Sequence, residues 1–363
     1  MNARLKEVTI TVNPDKSRVI EWDDDINPFN SMKVLCYSKE IESIVSGGIP
    51  SPITVNIDLS NICNHNCIWC FSREYNANSP TIMSKELMDN IAQDLIQLKV
   101  KSVILSGGGE PLTNPHFEYI VNLLAKNDIS IGLNTNGGLL HKISLESIYS
   151  LTYMRVSLDG GKETHHKLHN TFDPNSFDKI VQSLKRVCEN KPSSLTVGIG
   201  YLIHDSNVDE ILETCQLMKD IGVNYLEVRP IKYNALSETN KIKLKEINQA
   251  CLVLQDHEFK VYFVMHKESN KEIKRTRKDT CYMCKLVSTI SPNGIVYPCC
   301  ELRGRNVLAD LKEESFIEFW NSNRHKELLN QIDFSQCPAC KFSKQNKIIE
   351  SAFIDNNMHK EFL

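Results

Sequence analysis

The chain has no apolar run of about eighteen residues, the least that reads as a membrane-crossing helix. Its first residues, MNARLKEVTITVNPDKS, lack the apolar centre of a secretory signal. It lacks a surplus of positive charge as well: 42 Lys and Arg against 45 Asp and Glu leave a net charge of −3. That balance gives no attractive field for a phosphate backbone, so nucleic acid is not an expected partner. No internal repeat and no low-complexity tract is present, which argues against a repeat array or a biased tail. What remains is a soluble globular protein, with 41% hydrophobic and 24% charged residues, expected in the cytoplasm and not at a membrane. Its 363 residues suffice for one large domain or two of ordinary size, with a proper core.

Cysteine is abundant, at 13 residues, in a compartment that disfavours disulfides, so clustered cysteines point to metal or redox chemistry. Cys36, Cys188, Cys215 and Cys251 are scattered and read as small core hydrophobes. The other nine form an N-terminal trio (Cys63, Cys67, Cys70) and a C-terminal group (Cys281, Cys284, Cys299, Cys300, Cys337, Cys340). Two clusters suggest two sites.

From residue 52 a strand-then-helix rhythm sets in. Apolar runs at 53–59, 102–107, 129–134, 153–159, 195–203 and 224–230 read as six strands, and helices are expected at 84–98, 115–126, 175–189 and 207–220. Ser84 is a candidate N-cap, and Leu87, Ile91, Leu95 and Leu98 share one face. Such alternation predicts an α/β fold with a parallel sheet buried on both sides, either doubly wound or a complete or partial barrel. The polar motifs CNHNCIWC, GGGEP, NTNGG and SLDGG each follow their own strand, where such folds build active sites. Beyond Pro230 come a helix (241–255), the strand-like KVYFVM (260–265) and a charge run (266–279) that reads as a linker or a contact for an acidic partner. CYMCKLVSTISPNGIVYPCC (281–300) predicts a hairpin turning at Pro292-Asn293-Gly294, followed by a helical stretch (316–332) and CPAC (337–340). Residues 1–50 form an N-terminal extension with one possible hairpin around Asn13-Pro14-Asp15. Residues 51–235 form the core, and 236–363 a linker and second cysteine domain.

Thiolates suit zinc and iron–sulfur clusters. Zinc in a structural site asks for a fourth nearby ligand, and His65 is the one at hand. A cluster held by three cysteines instead leaves one iron open, which is useful only if something else binds there. The spacing C-x3-C-x2-C with Trp69 before the last cysteine resembles the signature of the radical S-adenosylmethionine (SAM) superfamily. The likeness implies that Cys63, Cys67 and Cys70 hold a [4Fe–4S] cluster whose open iron binds SAM, which is cleaved to a 5′-deoxyadenosyl radical. Gly107-Gly108-Gly109-Glu110-Pro111 resembles the family's GGE motif, whose backbone and Glu receive the methionine ammonium. Asn134, Asn136 and Ser157 stand at cofactor-facing strand ends, and GIGYLI (198–203) at the segment flanking the adenine. The resemblance covers residues 50–230 and implies a partial (β/α)6 TIM-like barrel with a small C-terminal β-hairpin and helix extension. One departure stands out. Relatives often carry an arginine for the cofactor carboxylate where this chain has His169, so His169, Lys167, Arg155 or Arg229 is expected to replace it.

Cys281, Gly294 and Cys299 match C-x12-G-x4-C, which resembles the opening of the SPASM/Twitch extension. In its Twitch form one auxiliary [4Fe–4S] cluster would be held by Cys281, Cys299, Cys337 and Cys340, with Cys284 an alternative ligand and zinc the competing occupant. Cys300 is a candidate hydrogen donor, or a buried neutral thiol. The family implies an oxidation or epimerisation, and an electron donor such as flavodoxin or ferredoxin. The first expectation for substrate is a small sugar or aminocyclitol. Modification of a ribosomally made peptide is the alternative, and a non-catalytic iron–sulfur scaffold a remote one.

Overall fold

The computed structural model describes residues 8–12, 18–22, 30–70, 72–73, 80–231, 236–264, 280–337 and 340–354. The charge run at 266–279 and the turn at Asn13-Pro14-Asp15 lie outside them. Flanking that turn, β1 (Val8–Val12) and β2 (Arg18–Trp22) pair antiparallel.

Seven strands then lie parallel and in chain order: β3 (Thr54–Asp58), β4 (Ser102–Ser106), β5 (Ser130–Thr135), β6 (Tyr153–Ser157), β7 (Thr196–Ile203), β8 (Tyr225–Pro230) and β9 (Lys260–Phe263). Helices bury the outer face of these strands, as parallel crossovers require, while the inner residues of β4 and β6 are half-buried, where burial on both sides was expected. After a first helix α1 (Ser38–Val45), the crossover helices are α2 (Lys85–Gln97), α3 (Phe117–Ala125), α4 (Leu145–Tyr149), α5 (Lys162–His169), α6 (Ser176–Glu189), α7 (Ile211–Ile221) and α8 (Glu238–Val253). Ser84 caps α2 by accepting the Leu87 amide at 3.2 Å. Of the expected face of that helix, Ile91, Leu95 and Leu98 are buried and Leu87 is half-buried. This is the partial (β/α) barrel, and its strands stop within two residues of their expected ends.

The C-terminal hairpin differs from expectation in one respect. Its strands β10 (Val287–Ile290) and β11 (Ile295–Tyr297) are joined by a two-residue β12 (Ala309–Asp310), and β10 pairs in parallel with β3. The hairpin therefore continues the barrel sheet, in the order β12-β11-β10-β3-β4-β5-β6-β7-β8-β9. The helical stretch at 316–332 divides into α9 (Phe316–Trp320) and α10 (Asn323–Gln331), and α11 (Ser343–Ile349) follows CPAC. The N-terminal extension packs on this region. Val34, Ile41 and Ile44 share a core with Met283, Leu286, Val287 and Ile349, and Trp320 donates its indole N–H to the Pro50 carbonyl at 2.8 Å. Cys215 and Cys251 are buried in the core as expected, but Cys36 is exposed, on the outer side of the 3-10 turn Ser31–Tyr37. Among the described residues no helix is long and apolar enough to cross a membrane.

Candidate active site and auxiliary cysteine group

The trio sits in the loop after β3, at the C-terminal end of the barrel strands. Backbone bonds fix the loop at both ends. Asn61 pairs with Thr81, while the Asn66 and Ile68 amides donate to the His169 and Leu168 carbonyls, each at 3.0 Å. Those carbonyls belong to the last turn of α5, which ends at Asn170 with φ 43°, so the loop satisfies groups that a helix terminus leaves open. Cys63 and Cys70 are exposed and Cys67 is half-buried. The Cys63 sulfur faces the His65 amide at 3.4 Å and the Asn136 side-chain N–H at 3.6 Å. Arg73 donates to the Asn66 and Cys67 carbonyls.

The GGGEP loop runs against this one. The Gly109 and Glu110 amides donate to the Ser60 and Ile62 carbonyls, at 3.1 and 2.8 Å. A Cβ at Gly109 would stand 2.2 Å from the Ile62 carbonyl oxygen, so only glycine permits the approach. The Glu110 side chain is engaged within the protein. Its carboxylate is buried and accepts from the Thr135 hydroxyl at 2.6 Å, the Asn136 amide at 2.7 Å and the Leu112 amide at 3.1 Å. With both oxygens engaged, the side chain ties GGGEP to NTNGG. Burial pushes Glu110 up to about 7, against the pull of these bonds.

His169 has both ring nitrogens facing protein groups. It is buried, with Nδ1 3.4 Å from the Cys67 sulfur and Nε2 2.8 Å from Asp159. Burial alone would depress it, but the Asp159 carboxylate and the Cys67 thiol overcome that and hold it up at about 10. Lys167 is exposed on α5 and reaches none of this. Of the three histidines on α5, His165 and His169 are buried and stacked at 4.1 Å, and only His166 is exposed. His65 is buried against Ser176 at 3.1 Å, and burial followed by the neighbouring His169 holds it down at about 3. His65, Cys67 and His169 each bring a possible ligand atom within 4.8 Å of the others. Trp69 packs on His169 and on His204, which follows β7. Ser157 lies half-buried at the end of β6 beside Gly200, and the buried Asn134 Oδ1 has no hydrogen-bond partner.

The donor set fits a cluster: three thiols of one loop, two of them with N–H or imidazole groups at the sulfur, as cluster thiolates are commonly found. The C-terminal group fits in the same way. The Leu302 amide donates to the Cys299 carbonyl at 3.1 Å, and Asn346 of α11 places its side-chain N–H 3.7 Å from the Cys281 sulfur. The same Asn346 accepts from the Tyr282 and Met283 amides, so it shapes the whole turn. Cys284 is different: it is fully buried and its thiol donates to the Cys281 carbonyl at 2.9 Å, a partner that would repel a thiolate. Cys300 is half-buried, with the Lys341 ammonium beside it. Hence Cys337→Ala is expected to lower bound iron from about eight to about four per chain, and Cys284→Ser to leave it at about eight, two four-iron clusters being full occupancy. Iron and sulfide analysis of the reconstituted protein reads both. Equal loss in the two variants would exchange their roles.

Asp58 and Arg303 were not legible as a site. Arg303, just beyond the Cys299–Cys300 pair, makes a two-pronged ion pair with Asp58 at the end of β3, one bond measuring 2.8 Å. Both are buried, the Arg303 side chain at 7% exposure. The pair joins the two cysteine regions directly.

Residues 57–218 match the family described as the radical SAM superfamily, and residues 281–341 the iron–sulfur cluster-binding domain SPASM. The AdoMet-dependent heme synthase of Methanosarcina barkeri (strain Fusaro / DSM 804) is 25% identical over 331 residues, 81% of this chain and 90% of that protein. The sporulation killing factor maturation protein SkfB of Bacillus subtilis (strain 168) is 26% identical over 184 residues, 49% of this chain and 43% of SkfB. Among solved structures, Streptococcus suis SuiB bound to the precursor peptide SuiA aligns with a TM-score of 0.61 at 17% identity, over 86% of this chain and 75% of SuiB, a likeness of fold.

Proposed function

The chain belongs to the radical SAM superfamily and carries a C-terminal iron–sulfur cluster-binding domain; from that premise we propose that it modifies a ribosomally made peptide, by crosslinking or epimerisation. The observation that carries this reading is the likeness to SkfB, named as a sporulation killing factor maturation protein, over 184 residues. It is preferred to the small sugar or aminocyclitol expected from sequence, for which neither relative described above speaks. When bound, SAM and the first cluster supply a 5′-deoxyadenosyl radical, and the auxiliary cluster supplies a one-electron acceptor. The protein's own residues position the two: GGGEP and NTNGG, tied by Glu110, frame the cofactor loop, and Asp58–Arg303 holds the second cysteine region against it. Cys300, half-buried beside Lys341, is the candidate hydrogen donor for an epimerisation. Flavodoxin or ferredoxin is the proposed reductant.

A second reading, action on a haem precursor, rests on the longer alignment with the heme synthase. One experiment separates the two. Reconstituted protein is incubated anaerobically with SAM, dithionite and either a precursor peptide encoded beside the gene or a haem precursor, in deuterated water. Loss of two hydrogens from the peptide marks a crosslink, and gain of one deuterium an epimerisation that Cys300→Ala is expected to abolish while 5′-deoxyadenosine release continues. A product only from the haem precursor overturns the peptide reading. Unchanged deuterium uptake in Cys300→Ala removes that thiol as donor.

A further inference from the structure

The inner wall of the barrel carries a guanidinium that the described residues do not neutralise. On β6, Met154 and Val156 are fully buried against the helices, so the half-buried Tyr153, Arg155 and Ser157 line the inside. Register carries this face across the sheet: Asn134 lies opposite Arg155, Tyr225 opposite Gly198, Glu227 opposite Gly200 and Arg229 opposite Leu202. A Cβ at position 198 would stand 1.9 Å from the ring of Tyr225, so this glycine lets the ring lie flat across β7 as a floor. One layer above it, Arg155 donates to Glu227 at 2.8 Å, with the carboxylate 4% exposed. Arg229 is a layer higher, at the strand end nearest the cysteine loop.

Among the described residues Arg229 forms no ion pair, and its buried Nε has no hydrogen-bond acceptor. The carboxylates nearest in charge are already engaged. Glu227 serves Arg155, and Asp159 accepts from His169 and from the Leu202 amide. The buried Asn134 Oδ1 on the same wall lacks a donor as well. Arg229 is half-buried, and its unmatched Nε, beside a second guanidinium, is best satisfied by a ligand that supplies the missing anion. Guanidinium geometry matches a carboxylate two-pronged.

We infer that the barrel interior holds a carboxylate-binding site headed by Arg229, with Asn134 offering an acceptor to a neighbouring donor of the same ligand. This rests on the barrel being the substrate chamber and refines the proposed function: the substrate carries a carboxylate near the reacting carbon, such as an acidic peptide side chain. The methionine carboxylate of SAM has the same chemistry and is the other source.

Calorimetry on the reconstituted full chain separates the sources without turnover. SAM is titrated first, then glutarate at saturating SAM, with glutaramide as the uncharged control. Arg229→Gln is expected to weaken carboxylate binding about ten- to a hundredfold, the loss of a charge-assisted pair, and Arg229→Lys to lose less. A loss confined to glutarate assigns the site to substrate, and a loss confined to SAM assigns it to the cofactor. If both variants keep the wild-type melting temperature and change neither titration, or wild type itself binds no glutarate while SAM binding is unmoved, the site does not exist. Neither outcome depends on a peptide being the substrate, so the two proposals fail separately.

Discussion

Replacing Cys63 by Ala is expected to lower 5′-deoxyadenosine release from SAM and dithionite by about a thousandfold or more, since the group removed serves the chemical step directly. The loop explains why no neighbour can take over. Cys63 is followed by residues whose backbone is clipped to the end of α5, and its sulfur is flanked by the His65 amide and Asn136. Asn136 is itself fixed by Glu110, which accepts its amide at 2.7 Å. Among the described residues of the loop, the alternative ligand His65 is committed to Ser176 on α6. Two thiols and no third ligand do not retain a four-iron cluster, so iron should fall to about four per chain, all of it in the C-terminal group. Cys63→Ala releasing as much deoxyadenosine as wild type would show that the trio does not start the reaction. Loss of all eight irons would show instead that the second site depends on the first.

The features legible in the sequence are local ones. Strand positions followed from mostly apolar runs of six to nine residues, and the trio from a spacing of eight residues. Motif order placed GGGEP and NTNGG at neighbouring strand ends, and the structure joins them through Glu110. The direction of that carboxylate was not legible, because Thr135 and the Asn136 amide compete for it only once β4 and β5 are side by side. The same holds for His169. Its position in the chain suggested a cofactor contact, yet Asp159, ten residues earlier, turns the ring toward Cys67. Parallel pairing of β10 with β3 joins segments more than 200 residues apart, and a period-two pattern carries no record of which edge it will meet. Asn346 had no signal beyond being a polar residue on a short helix.

Arg303→Gln is expected to cost about 3–5 kcal/mol of stability, the range for removing one partner of a buried ion pair. At ~2.1 cal/mol/K per residue over this chain, that lowers the melting temperature by about 5 °C. The reason lies with Asp58, which is fully buried, with Arg303 and the Gly108 amide drawing its carboxyl down against the burial. Burial holds its carboxyl above the ordinary range even with both partners present. Removing Arg303 raises it further, so the folded variant takes up a proton that the unfolded chain, with an ordinary carboxyl, does not. A group raised in the folded state loses stability as pH rises through that window. The deficit of Arg303→Gln against wild type should therefore shrink as pH is lowered toward 5 and widen toward 8. Asp58→Leu with Arg303→Met removes both charges and fills the same space, and such replacements are neutral or stabilising in other buried pairs. That double variant is expected to melt at or above wild type. Melting followed by circular dichroism across the pH range tests both statements. A deficit in Arg303→Gln that does not vary with pH would mean that Asp58 is not left buried and charged. A double variant as unstable as the single would place the value of Arg303 in its packing, and the link between the two cysteine regions would then be steric.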